Sequence, residues 1–329
     1  MTNILPEGIY APLPAFFDQD DNLGRRVHFE LEKRQIAYCE ADLKAYIEHA
    51  LYVTKPGVIP VVSATMGEAA HLDRQERKRL IETVRVALDK NHLYQTPIVA
   101  GVGAASTRET IHLAEDAAAA GANFVLVILP SYYANALRAT PRAVKQFFVD
   151  VASKSPLPVV IYNYPPIAGG IDLSSDDIVD IARTAPNVRG VMLSCGNVGK
   201  VSRITSVLDK SFRTFAGFID FLLPSISVGA AGAISPLPNL APDLAMEFWR
   251  DTQVLYESGS WAKAKKLQEV TSLAESDLLS GGVAGLKYLL SQRFGYPAIP
   301  RLPLQPLSDF DAARLSNSNY LKSINTDKK

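Results

Sequence analysis

Hydroxyl groups that follow apolar runs are the residues of this chain with the clearest chemical potential. Thr65 lies in SATMGE (63–68), Tyr132 and Tyr133 in PSYY (130–133), and Tyr162 opens YNYPPIAGG (162–170). A tyrosine whose hydroxyl meets another hydroxyl can pass a proton. A small residue, a hydroxyl and a glycine leading into a helix can aim backbone N–H groups at an anion. Each feature also has a plain structural explanation. Gly67 serves equally as a turn glycine, Tyr132 and Tyr133 as packing, and Tyr162 as the anchor of a strand end. In RGVMLSCGN (189–197), Met192 reads as core filler. Cys195 has no histidine near it in sequence and reads as an inert thiol. The small residues of AGFID (216–220) and GAAGAIS (229–235) let backbone approach a ligand closely.

The elements that must position these groups alternate regularly. Short β-rich runs fall near 8–14, 58–62, 97–102, 124–129, 158–162, 188–193, 213–217 and 231–235. Runs such as FVLVIL and VVIY are apolar throughout, as parallel strands buried on both faces require. Helical stretches lie between them: 42–53, 73–89 with Asp73 as N-cap, 107–120, one opened by Thr140-Pro141, 174–183, 197–208, a short one at 220–228, and an eighth from Pro242. Eight strand-then-helix units predict a (β/α)8 TIM barrel rather than an open doubly wound sheet. Two further helical stretches, 261–279 and 283–294, form an appendix. The expected organisation is a barrel over 1–240, a C-terminal helical extension over 241–310 and a flexible polar tail over 311–329. A barrel places its active site at the C-terminal ends of its strands, which is where Thr65, Tyr133, Tyr162 and Met192 fall.

Composition narrows the function. Lys plus Arg and Asp plus Glu both number 34, so no basic excess recommends a nucleic acid or an anionic membrane as partner. Hydrophobic residues at 47% and charged residues at 21% describe a globular chain. Cys39 and Cys195 make no disulfide framework, and no Cys/His spacing suggests a metal site. No signal pattern or membrane-spanning run is present. The expectations are a cytoplasmic protein with a small-molecule substrate, no metal and no cofactor.

Taken in order, SATMGE, PSYY, YNYPPIAGG, RGVMLSCGN and GAAGAIS resemble the dihydrodipicolinate synthase / N-acetylneuraminate lyase family. GIYAPLPAFF near the start and GLKYLL with RLPL near the end extend the resemblance over about residues 8–304. RGVMLSCGNVGK and GGVAGLKYLL look most like fungal members, which include deoxy-sugar-acid and 4-hydroxy-2-oxoglutarate-type aldolases. The resemblance implies a (β/α)8 barrel with a helical extension, assembled as a homodimer or homotetramer. It implies C–C bond chemistry next to a 2-oxo acid, through an imine on a strand-six lysine. By motif, Thr65 matches the loop hydroxyl, Tyr162 the general acid/base, and Tyr133 the tyrosine lent across a dimer interface. Ala64, Met66, Ile167, Gly217, Gly232, Ile234 and Ser235 match substrate-binding positions, with 232–235 near the substrate carboxylate.

The departures from the family pattern point one way. The imine lysine position is Met192, which cannot form an imine. Lys200, downstream, falls on the following helix and should not reach the barrel axis; Lys287 matches a structural lysine. Met66 replaces a hydroxyl and Ile167 replaces a guanidinium that would clamp a carboxylate. Phe218 and Ile219 replace a more polar pair. The segment 18–41 is about a dozen residues longer than the family needs, either a lid or a surface insertion. Three readings follow: a repurposed lyase working through hydroxyls on a less polar substrate, a non-catalytic binding or regulatory descendant, and an ordinary 2-oxo acid or deoxy-sugar-acid aldolase with a Lys-to-Met variant.

Overall fold

A computed structural model describes residues 4–18, 23, 43–254 and 260–324; most of the enlarged 18–41 segment, Cys39 included, lies outside the described residues. Eight parallel strands close into a barrel in chain order: β1 Gly8–Pro12, β2 Ile59–Val62, β3 Val99–Gly101, β4 Phe124–Ile128, β5 Val159–Asn163, β6 Val188–Leu193, β7 Arg213–Ala216 and β8 Gly232–Ile234. All eight lie inside or within one residue of the runs read from the sequence. Closure brings β8 onto β1 with Gly8 opposite Gly232. Gly232 has φ +141°, and a Cβ there would stand 1.8 Å from the Gly8 carbonyl oxygen. Only glycine lets these two strands meet.

The helices are α1 Lys44–Thr54, α2 Arg74–Lys90, α3 Thr107–Ala119, α4 Ala134–Arg138, α5 Pro141–Lys154, α6 Ser175–Thr184, α7 Val198–Val207, α8 Leu222–Ser227, α9 Pro242–Gln253, α10 Ser260–Phe294, α11 Asp309–Asn317 and α12 Asn319–Ile324. Asp73 caps α2 in a reciprocal box with Glu76, and Ser174 caps α6 the same way with Asp177. Pro141 starts α5 as expected, but Thr140 makes no side-chain cap bond.

Strand alternation divides the apolar interior in two. Tyr10, Val61, Val99, Leu126, Val160, Tyr162, Met192, Phe215 and Ile234 fill the barrel lumen. Their neighbours, among them Ala11, Val62, Ala100, Val127, Ile161, Val191 and Ala233, face outward into a larger cluster shared with the helices.

α10 is broken at Gly282 (φ 56°, ψ −145°), where the sequence also separates two helical stretches. The expected polar tail is different in the structure: residues 309–317 and 319–324 are helical, and Leu315, Leu321 and Ile324 are buried. Their apolar side chains, spaced among polar ones, explain the ordering. α9, the eighth barrel helix, runs to Gln253, past the expected barrel boundary at 240.

The extension is fastened to the barrel mouth by a buried charge pair. Glu68, held in the left-handed region at φ 54°, accepts from Lys287 Nζ at 2.8 Å, and both side chains are fully buried. The other Glu68 oxygen accepts from the Arg301 backbone N–H at 2.8 Å. The Arg301 guanidinium grips both oxygens of Glu76 at 2.7 and 2.8 Å. The Phe17 ring lies within 4.5 Å of Lys287 Nζ and 4.3 Å of the Arg301 guanidinium carbon. Lys287→Met would leave Glu68 buried without its cation, and we expect a loss of about 3–5 kcal/mol in chemical denaturation. The double variant Lys287→Met/Glu68→Gln should recover much of that loss; a double variant as unstable as the single would contradict this account.

Candidate active site

The site sits where β2, β5, β6 and β7 end. Tyr162 and Met192 are cross-strand partners in the β5–β6 ladder, and both belong to the lumen cluster. The ladder continues past β6 on both sides: Ser194 N–H donates to Asn163 O, and Gly217 N–H donates to Leu193 O, each at 3.0 Å. Ser194 therefore keeps the strand alternation and presents its side chain on the same face as Met192. A Cβ on Gly217 would fall 2.1 Å from Ser194 Oγ, so glycine at 217 makes room for that hydroxyl.

Tyr162 Oη and Thr65 Oγ1 stand 3.3 Å apart. Burial pushes the Tyr162 phenol well above its ordinary pKa, against the opposing pull of the Thr65 and Ser194 hydroxyls. The phenol keeps its proton through the neutral range and is a proton donor at rest. Ser194 Oγ is buried beside the phenol. Tyr164 stacks on Tyr162 (centroids 5.8 Å apart, planes at 25°), and Phe218 meets Tyr164 edge-on at 6.0 Å.

The expected site residues separate into groups. Thr65, Tyr162, Met192, Ala64 and Ile234 gather at the lumen. Tyr133 does not join them within one chain: it is 68% exposed and packs edge-on against Tyr132 at 4.9 Å. Met66 and Ile219 are buried in the cluster between barrel and helices rather than in the lumen. Ile167 lies exposed on the loop after β5. Gly232 serves strand closure. Ser235 turns away from the lumen and meets a carboxyl of the extension. Lys200 is buried on the outer side of the barrel and pairs with Asp172, which Asn163 also holds at 2.7 Å. No lysine therefore replaces Met192 from α7.

Tyr164, Ser194 and Glu275 were missed from sequence. Strand period could have found Ser194, two residues past Met192. Glu275 offered no such signal: with Gln268 and Ser272 it stands in the 261–279 stretch, which the sequence marks only as a helical appendix. The three form a comb on the β7 loop. Gln268 Nε2 donates to the carbonyls of Ile219 and Asp220, Ser272 Oγ donates to Asp220 O, and Glu275 accepts from Asp220 N–H at 2.8 Å. Its second oxygen bonds Ser235 Oγ at the end of β8. Among the described residues, no helix is long and apolar enough to cross a membrane, and no group of three or more His, Cys, Asp or Glu could hold a metal.

The comparisons with known proteins agree with this fold. The family described as "Dihydrodipicolinate synthetase family" matches residues 33–321. A protein of Emericella nidulans named "Probable 4-hydroxy-2-oxoglutarate aldolase, mitochondrial" is 38% identical, over 95% of this chain and 94% of its own. An L-threo-3-deoxy-hexylosonate aldolase of Hypocrea jecorina is 34% identical, over 95% of this chain and 93% of its own. A crystallised dihydrodipicolinate synthase family protein from Coccidioides immitis superposes with TM-score 0.79 at 36% identity, covering 96% of this chain and 95% of its own.

Glu275 also yields a pH test. Burial pushes its carboxyl up to about 8, with the Asp220 charge adding in the same direction. A carboxyl that holds its proton more tightly when folded contributes stability in full below its unfolded value, and this is lost as pH rises toward 8. Glu275→Gln keeps an acceptor for Asp220 N–H and cannot ionise. Its melting temperature, relative to wild type, should rise between pH 5 and pH 8; an unchanged difference across that range would contradict a neutral Glu275.

Proposed function

The chain belongs to the dihydrodipicolinate synthetase family, and we propose that it is a lyase of that family that works without an imine. The observation that carries this reading is the partly buried Tyr162–Thr65 hydroxyl pair, with Tyr162 directly across the ladder from Met192. The buried acidic and basic side chains among the described residues, histidine aside, are Glu68, Lys200, Glu275 and Lys287. Glu68 and Lys287 hold each other, Lys200 holds Asp172, and Glu275 holds the β7 and β8 loops. None supplies an amine beside Tyr162.

Tyr162 can still act. A neutral phenol in a dry pocket donates to the oxygen of a carbonyl or of a departing hydroxyl. When the proton leaves, the charge stays on Tyr162 Oη and the Thr65 hydroxyl donates to it. In a retro-aldol cleavage the phenol proton goes to the oxo oxygen as the C–C bond breaks to an enol, and the β-hydroxyl proton, lost as that oxygen becomes the aldehyde carbonyl, returns to Tyr162 Oη through the Thr65 hydroxyl. In a dehydration the phenol proton leaves with the hydroxyl as water and Tyr162 Oη takes up the α proton. The substrate is a small molecule, a 2-oxo acid or an oxo compound less polar than those of the named relatives. Tyr133, exposed in the single chain, is offered to the site by a homodimer or homotetramer. The Emericella nidulans relative carries a mitochondrial location in its name, which stands as the alternative to the cytoplasmic location read from sequence.

A second reading has support in the relatives' names: an ordinary 2-oxo acid or deoxy-sugar-acid aldolase in which Met192 has replaced the imine-forming lysine. Pyruvate with borohydride, read by intact mass, tests whether the protein as it stands forms an imine and, on Met192→Lys, whether the pocket accepts a 2-oxo acid. Turnover of an oxo substrate by the unaltered protein that is lost in Tyr162→Phe would mark the imine-free lyase. We expect no trapped adduct on the protein itself and a trapped adduct on Met192→Lys. An adduct on the unaltered protein would overturn imine-free chemistry. Absence of an adduct on Met192→Lys would overturn a pocket shaped for 2-oxo acids. In the Met192→Lys background, Tyr162→Phe should slow trapping about a hundredfold, as removal of a positioned acid does.

A further inference from the structure

Two rings close over the end of β6 from opposite sides. Tyr164 follows the last residue of β5, and Phe218 lies two residues past β7. β5 and β7 are the two neighbours of β6, so the 6.0 Å contact between these rings spans the strand end that carries Met192 and Ser194. Tyr164 also packs against the lumen cluster and stacks on Tyr162. The row Tyr162–Tyr164–Phe218 is thus an aromatic wall beside the reactive hydroxyls, with Met192 the ladder partner of Tyr162. Tyr164 and Phe218 are only half-buried, which leaves ring surface for a ligand at the mouth.

Among the described residues, the buried side chains Glu68, Lys200, Glu275 and Lys287 are committed elsewhere, and Ile167 on the loop after Tyr164 adds another apolar side chain. A carboxylate or a polyhydroxy chain placed against this wall would shed its water without a charged partner, an unfavourable exchange. An aromatic or branched aliphatic group would bury apolar surface and could stack or meet a ring edge-on.

We propose that Tyr164 and Phe218 are specificity-determining residues that select a substrate bearing an aryl or branched-alkyl substituent next to its oxo group, rather than a second carboxylate or a hydroxylated chain. This rests on the lyase reading of the site, and it distinguishes this chain from relatives named for 4-hydroxy-2-oxoglutarate and L-threo-3-deoxy-hexylosonate. The wall selects by contact alone and takes no part in bond making.

Calorimetry on the full chain with three probes tests it: phenylpyruvate, 2-oxoglutarate and 3-phenylpropanol. Phenylpyruvate should bind at least tenfold more tightly than 2-oxoglutarate. Tyr164→Ala and Phe218→Ala should each remove most of that preference while thermal unfolding shows the fold intact. Phe218→Arg, which adds a cation at the wall, should shift the preference toward 2-oxoglutarate and reports even if a truncation disturbs packing. Tighter binding of 2-oxoglutarate to the unaltered protein, a preference for phenylpyruvate unchanged in all three variants, or no binding of either aryl probe would overturn the proposal. If 3-phenylpropanol binds in a Tyr164- and Phe218-dependent way and neither oxo acid does, the aryl wall stands and the 2-oxo acid reading falls.

Discussion

The Lys287–Glu68 pair is the interaction on which the mouth of this barrel depends. A charge removed from water is tolerated only when a partner and further hydrogen bonds replace the hydration it loses. Glu68 has both: Lys287 from the helical extension on one oxygen and the Arg301 N–H on the other. Glu68 also ends the short loop that begins with Thr65, in a backbone conformation that few non-glycine residues adopt. The extension therefore holds the β2 loop in place through Glu68, and the β7 and β8 loops through Gln268, Ser272 and Glu275. Three of the segments around the reactive hydroxyls are set by helices that supply no lumen side chain themselves.

This division of labour explains a site whose centre, among the described residues, holds hydroxyls and no fixed charge. Among the described residues, the buried ionisable side chains Glu68, Lys287, Lys200 and Glu275 are spent on fastening elements together. Lys200 illustrates it: one turn into α7 it is buried against Asp172, outside the staves, where it steadies the loop after β5 through Asn163. The lumen is left with phenol, alcohol, thioether and ring surface, a set suited to donating a proton and to holding apolar groups.

Much of the architecture was legible because parallel strands buried on both faces leave continuous apolar runs, and runs such as FVLVIL admit few other readings. The helix starts at Asp73 and Ser174 were equally plain, since their capping residues stand at the spacing the backbone demands. α4 was missed: five residues show no period. The C-terminal helices were read as tail because Leu315 and Leu321 are isolated among polar residues, and only contact with α10 gives them a buried place. Within the site, Thr65, Tyr162 and Met192 could be placed from motif order. The inward or outward aim of Met66, Ile219 and Ser235 could not, because past a strand end the simple alternation no longer dictates direction. Ser235 is the clearest instance, one residue beyond Ile234 and pointed at Glu275 instead of the lumen.

The two apolar clusters are nearly disjoint, separated by the strands themselves; Ile128 is the side chain that packs against both. The helix ring and its contacts with the barrel wall would thus be largely indifferent to which side chains fill the lumen. Over evolutionary time such a molecule can exchange its reactive interior residue by residue while the exterior scaffold goes on assembling. A methionine can thus occupy the centre of the barrel in a chain whose outer architecture still superposes on relatives of quite different sequence.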